Sequence, residues 1–314
     1  GQESPAETWL DECWRVNRKA QLLQKAAVNG AVCGHVFLKI APGQPGTFPR
    51  LINLSPEYVN VVCDPDDIDQ VVRYLIEYPA RGKDGERLAV RQTVDREAQD
   101  TWTVTDEVSR DGGRWQTLSA ITWPYSWPPI VDCQNLPSPN EYYGISDVEI
   151  DTLDLNYSLN FTISNLQRIV RYHAHPKTWG KGVTAGELKI GVDETILLPN
   201  PAAELHNLEM TSDLSSLLDL FARLKDGLHE ISRTPEIATG KLADGTAQLS
   251  GVALQVLYTP LLQKTNAKRG TYGELLIELN RRLLDMAGYG ADNRTTIVWP
   301  EILPKNTLEE AQSL

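Results

Sequence analysis

The side chains best suited to chemistry are few, and they do not converge. His173-Ala174-His175-Pro176 sets two imidazoles two residues apart and His206 follows, so three of the five histidines share one stretch. Such a pair can hold a transition metal, but no third ligand stands at helical spacing from it. Gly240-Lys241-Leu242 is the nearest thing to a phosphate loop, and it lacks both the upstream glycine and the Ser or Thr after the lysine. No strand-linked GxGxxG, HExxH or GxSxG occurs. Carboxylates are plentiful, but no spacing singles out an acid/base couple. The cysteines at 13, 33, 63 and 133 form no CxxC and read as free thiols of a reducing compartment. Trp123-Pro124-Tyr125-Ser126-Trp127-Pro128-Pro129 could grip a peptide, though such clusters more often pack a domain corner. Nothing here gives a positive reason to expect an enzyme, a cofactor or a metal.

The composition narrows the classes further. The chain has 314 residues, 41% hydrophobic and 23% charged, which is globular. A net charge of -12 disfavours tight nucleic-acid binding, which depends on neutralising phosphates with Lys and Arg. No apolar run reaches a membrane span, and no signal-peptide pattern opens the chain. The first residues are Gly-Gln, and the last, Glu309 to Leu314, fall inside a helical pattern. The chain therefore reads as part of a longer protein.

The elements that would position these residues are legible in outline. Ala6 to Asn29 has helical periodicity, with Asn29-Gly30 as a stop signal, and Val32 to Ile40 alternates as a strand. Five β-rich runs follow: Tyr58–Cys63, Val71–Tyr78, Arg87–Asp95, Thr101–Ser109 and Arg114–Ile121. Lys83-Asp84-Gly85 and Asp111-Gly112-Gly113 mark two hairpin tips, so the runs form a meander. After a Pro-rich linker over Asn135–Asn140, Ser146 and Glu149 make a capping box, which predicts a helix from about Asp147 to Tyr172. It carries two apolar faces, Ile150-Leu153-Tyr157-Phe161 and Leu155-Leu159-Ile163-Leu166-Val170, and two faces require two neighbours.

Lys177 to Met210 is a small β segment, with strands expected at Glu187–Ile190 and Thr195–Leu198. A further helix, capped by Ser212 or Asp213, carries one stripe through Leu214, Leu217, Leu218, Phe221, Leu224, Leu228 and Ile231. Gly240 and Gly245 then loosen a loop over Thr239–Gln248. Ser250 can cap a helix running to about Ala287, on the order of 50 Å long, in which Pro260 should cause a kink. Arg294 to Val298 reads as a closing strand.

The stretches EISRTPEIATGKL, QLSGVALQ and PLLQKTNAKRGTYGELLIELNRRLL, with NEYYGISDVE upstream, resemble the portal proteins of double-stranded DNA phages and prophages, in their SPP1-like branch. The likeness is carried by Glu141 to Leu284. It implies an α+β portal fold: a wing over 1–140, a descending stem helix over 141–174 and a β clip over 175–211. A second stem helix over 212–235, a tunnel loop over 236–250 and a long kinked helix over 251–290 would follow. Residues 291–314 would be a wing return strand and the start of a crown-side segment.

As a portal, the chain is expected to close with about eleven copies of itself into a ring at a capsid vertex, assembled in the host cytoplasm and not in a membrane. Double-stranded DNA would pass through it, weakly and non-specifically held. The terminase large subunit and head-completion or adaptor proteins would dock at the clip, and capsid and scaffolding proteins around the ring. The resemblance places Thr239, Gly240, Lys241, Leu242, Asp244 and Gln248 in the tunnel loop, the kink at Pro260, and the stem joint at Leu159, Ile163 and Leu166. The alternatives are an adaptor that binds partners through the Trp–Pro surface and a metal enzyme using His173 and His175.

Overall fold

The computed structural model describes residues 4–98, 101–174, 177–182, 201–208, 214–240, 251–290 and 292–302. Helices α1 (Pro5–Val16) and α2 (Lys19–Cys33) lead into strands β1 (His35–Ala41), β2 (Arg50–Leu54), β3 (Val59–Cys63), β4 (Val71–Arg81), β5 (Arg87–Arg96), β6 (Trp102–Arg110), β7 (Gln116–Trp123) and β8 (Ile130–Gln134). Helix α3 (Ile150–Ala174), strands β9 (Lys177–Lys181) and β10 (Glu204–Leu208), and helices α4 (Ser215–Ser232) and α5 (Gly251–Met286) follow. The chain divides into two compact units, Ile150–Ser232 and the remainder.

In the larger unit β3 to β7 form the expected antiparallel meander, in the order β3-β4-β5-β6-β7. Its tips obey the turn chemistry: Asp111 and Gly112 both have positive φ, as a tight Asp-Gly hairpin requires. A second sheet, β2-β1-β8, has β1 in the middle, with Val36, Phe37, Leu38 and Ile40 fully buried. Both sheets share one core with Leu10 and Trp14 of α1, Leu22 and Ala26 of α2, and Leu275, Leu279 and Leu283 of α5.

Three sequence expectations change here. The single N-terminal helix is two. Arg18 takes a left-handed conformation at φ 54, and Asn17 anchors the break by accepting from Leu51 N (2.7 Å) and donating to the Cys13 and Pro49 carbonyls (both 2.9 Å). Helix α2 then runs through Asn29-Gly30 to Cys33. Gly30 is a packing glycine, since a Cβ there would collide with the Tyr272 hydroxyl. Residues 294–298 pair with no strand; Thr295, Ile297 and Trp299 instead line a cleft of about 770 Å³ against α1 and α5. Strand β8 takes up the segment just before the expected linker, because its Val131 and Ile130 complete the buried side of β1.

The aromatic–proline cluster is a packed corner. Trp123 and Trp127 are buried, Tyr125 stacks on Trp127 at 4.5 Å, and Trp127 Nε1 donates to Asp285 at 2.8 Å. Arg282 lies over the Trp127 ring and donates to the Pro128 and Ile130 carbonyls. The rings that an adaptor would offer to a peptide are therefore occupied by the C-terminal part of α5.

Candidate functional site: a stem hairpin and a loop-to-helix junction

The smaller unit is a hairpin of α3 and α4, with the antiparallel ribbon β9–β10 between them in sequence. Leu155 Cδ1 lies 3.7 Å from the position of a Cβ on Gly227, which puts the Leu155-Leu159-Thr162-Leu166 face of α3 against α4. Leu159 is only 8% exposed. The Thr162 hydroxyl on this face is satisfied by the Ser158 carbonyl at 2.8 Å. The opposite face is not covered by any of the described residues: Ile150, Leu153, Tyr157 and Phe161 are all exposed, Tyr157 by 72%. Ile163 and Val170 are exposed as well.

Of the three residues expected at a subunit joint, Leu159 is thus taken up by the chain's own hairpin. Leu166 is half-buried on the same face, and Ile163 alone is free. Both apolar faces of α3 are present, and the one holding Leu159 and Leu166 is the one packed against α4; periodicity counts neighbours without saying which belong to the same chain. The stripe on α4 is likewise shared. Leu217, Phe221, Leu224 and Leu228 are half-buried, whereas Leu218 and Ile231 are exposed.

The capping box does not form. Helix α3 starts at Ile150, and Ser146 Oγ instead accepts from Val148 N (2.9 Å) while facing the Ala31 and Val32 carbonyls of α2. Asp147 does more than fill a helix turn. Its carboxylate receives Lys268 and Lys264 (3.2 Å) from α5 and Asn135 Nδ2 (3.3 Å). The Asn135 side chain, fully buried, also takes the Tyr272 hydroxyl at 3.0 Å. Burial alone would raise the Asp147 pKa, but the hydrogen bond and charge of Lys268 and the charge of Lys264 outweigh it and hold the carboxyl low. The turn that precedes α3 is therefore clamped to α5 by ions as well as by packing.

The loop expected to project into a tunnel is described only at its ends. Thr239 closes a short 3₁₀ turn, its Oγ1 donating to the Glu236 carbonyl at 2.7 Å, and Gly240 follows at φ 84, a value that suits glycine. Lys241, Leu242, Asp244, Gln248 and the proposed cap Ser250 lie outside the described residues. Across the loop, the Tyr258 hydroxyl of α5 donates to the Ile237 carbonyl at 3.4 Å and ties the two ends together.

Helix α5 spans 36 residues and is continuous through Pro260, Gly270 and Gly273. Immediately before the proline, Thr259 Oγ1 donates to the Gln255 carbonyl at 3.0 Å. In the first third of α5, Val256 and Leu257 are exposed. The last third is core, with Leu275, Leu276, Leu279, Leu283 and Leu284 buried.

His206 stacks on Trp179 at 5.1 Å, and His175 lies outside the described residues. Among the described residues no group of three or more His, Cys, Asp and Glu is placed to hold a metal.

A buried cluster that the sequence did not reveal centres on Asp132, which accepts from Tyr74 (2.8 Å), Tyr142 and His35 Nε2 (3.0 Å). Burial, and then the Asp132 charge, push both tyrosine hydroxyls well above their ordinary range. They are therefore fixed as donors, and the cluster locks β4 to β8 and β1.

The comparisons agree with this geometry. A family model described as "Phage portal protein, SPP1 Gp6-like" matches residues 3–314. No curated protein matches the sequence. Among solved structures, the chain is similar to a protein of the virion of a native gene transfer agent particle (TM-score 0.55, 15% identity, 94% of this chain and 74% of that one). It is also similar to one in the neck of the native particle computed with C12 symmetry (TM-score 0.54, 16% identity, 94% and 74%). At these identities the likeness concerns the fold.

Proposed function

This chain belongs to the SPP1 Gp6-like family of phage portal proteins, and we propose that it forms a ring of about twelve copies at one vertex of a phage or phage-like capsid, through which double-stranded DNA enters and leaves. The observation that carries this is the stem hairpin. One apolar face of α3 is closed by α4, and the other, Ile150-Leu153-Tyr157-Phe161, stands open to solvent. A helix face with two exposed aromatic rings is costly to leave in water. In a portal ring the occupant of that face is the stem of the next copy, so the joint is Tyr157 and Phe161 with Ile150 and Leu153 on the same face.

The remaining roles follow from the family. The tunnel loop, including Lys241, faces the DNA. The β9–β10 clip offers the docking surface for the terminase and head-completion proteins, and the wing faces capsid and scaffolding proteins. A net charge of -12 suits a channel that must not hold polyanionic DNA in place. The protein's work on this reading is mechanical and structural, with no catalysis of its own. No helix among the described residues is long and apolar enough to cross a membrane.

The test is the mass of the purified particle, by native mass spectrometry or light scattering. The unmodified chain should run as a ring, and Tyr157→Asp with Phe161→Asp should run as a folded monomer. Rings of normal size from that double variant would remove the stem assignment. Lys241→Ala should leave ring mass unchanged and alter packaging or DNA retention; unchanged packaging would count against a DNA-facing role.

A further inference from the structure

The two edges of the sheet β2-β1-β8 carry opposite charge, and among the described residues neither charge has an ion-pair partner. At the β2 edge, a cleft of about 630 Å³ is lined by Arg18, Lys25 and Arg50 with no carboxylate, and Leu22 and Phe48 share its lining with Asn17, Gln21 and Asn53. The three cations are exposed and have no hydrogen-bond or ion-pair partner among the described residues. In an acidic protein, three such cations around one cleft are a concentrated field. The first turn of α2, which holds no acid, adds to it.

At the other edge, the β3–β4 loop runs Asp64-Pro65-Asp66-Asp67-Ile68-Asp69. Its Ile68 and Asp69 share a cavity with Asp132, Cys133 and Gln134 of β8. Its carboxylates have no cation partner among the described residues, and Ile68 stands exposed in their midst.

We propose that the acidic β3–β4 loop of one copy docks into the basic cleft of the next, Ile68 against Leu22 and Phe48 and the aspartates against Arg18, Lys25 and Arg50. The occupant is a second copy because the charges match and because of where they lie. The cleft and the loop flank opposite edges of one three-stranded sheet, with two inter-strand spacings, roughly 10 Å, between those edges. They line separate cavities, and among the described residues no ion pair joins them within the chain, whereas a head-to-tail neighbour brings them together. Such a joint is heterologous, the type that generates rings. The inference rests on the ring reading and supplies its wing-level contact. Electrostatic complementarity of this kind sets encounter rate and register, so assembly should weaken with salt.

The experiment is a charge swap, read as the protein concentration at which rings form. Arg18→Glu with Arg50→Glu, and separately Asp66→Lys with Asp67→Lys, should each raise that concentration roughly ten-fold or more. Both pairs combined in one chain should restore assembly, since every joint then pairs a reversed cleft with a reversed loop. Unchanged assembly in both variants, or no restoration in the combined chain, overturns the proposal. Circular dichroism checks the fold, and Arg50→Gln with Asp67→Asn gives the milder pair if a reversal fails to fold. If the unmodified chain is a monomer, the ring reading fails by itself. Docking is then read from salt-sensitive self-association in sedimentation at high concentration: loss in either reversal supports it, and absence of such association overturns it.

Discussion

Helices α3 and α5 solve the same problem in opposite ways. Both are long, and both carry apolar side chains around more than one face. In its last third α5 buries them inside its own unit, with Leu279 and Leu283 fully covered. Among the described residues of α3 only Leu159 and Thr162 are buried, while Ile150, Tyr157 and Phe161 lie open. The first third of α5, with Val256 and Leu257 exposed, resembles α3 rather than its own C-terminal end. An all-round apolar helix is thus either core or interface. Hydrophobicity alone does not separate the two cases, since burial costs and gains are the same whichever chain supplies the cover.

The contrast can be broken at its strong side first. Leu283→Ala should cost the larger unit about 2–5 kcal/mol, because the cavity is enclosed and cannot collapse. Urea denaturation followed by tryptophan fluorescence reports on that unit, since seven of the eight tryptophans lie outside residues 150–232, Trp179 being the exception. Asp147→Asn comes next. It removes the charge that receives Lys264 and Lys268 and should cost about 1–3 kcal/mol at neutral pH by the same measurement.

Acid should erase that difference in a defined direction. The Asp147 carboxyl is held below its ordinary value by Lys268 and Lys264 against the opposing effect of burial. Its stabilisation is therefore fully present above about pH 4 and lost as pH falls through the depressed pKa. The gap between Asp147→Asn and the unmodified chain should narrow over that acid range; a gap independent of pH would show that the clamp is not ionic. Glu278, lowered by Arg281 and Arg282 against its own burial, titrates in the same sense and belongs to both chains of the comparison.

The smallest effect is the most telling. Tyr157→Ala should change the unfolding free energy of the monomer by no more than about 0.5 kcal/mol, since the ring touches little of its own chain. Its effect should appear only in assembly. A large loss of monomer stability would mean that this face packs within the chain after all.

Much of the architecture could be read from residue order. The meander and its Asp-Gly tip, the two faces of α3 and the length of α5 follow from periods of 2 and 3.6 and from turn chemistry, all local properties. Local cues also misled. Ser146-x-x-Glu149 satisfies the capping pattern, but its hydroxyl is claimed by the α2 carbonyls, and the α1–α2 break at Arg18 is imposed by Asn17 reaching across to Pro49 and Leu51. The segment 294–298 has strand composition, but it lies against α1 and α5 and pairs with no strand.

By itself, then, the sequence determined the element types, the two apolar faces of the stem and the family likeness between Glu141 and Leu284, because each depends on neighbours within a few residues. Only the tertiary structure decided which face α4 covers, that Asp147 meets Lys264 and Lys268 across more than a hundred residues, that Asp132 gathers Tyr74, Tyr142 and His35, and that opposite charges sit on opposite edges of one sheet. Those are long-range pairings, fixed by how the whole core closes, and no local period encodes them.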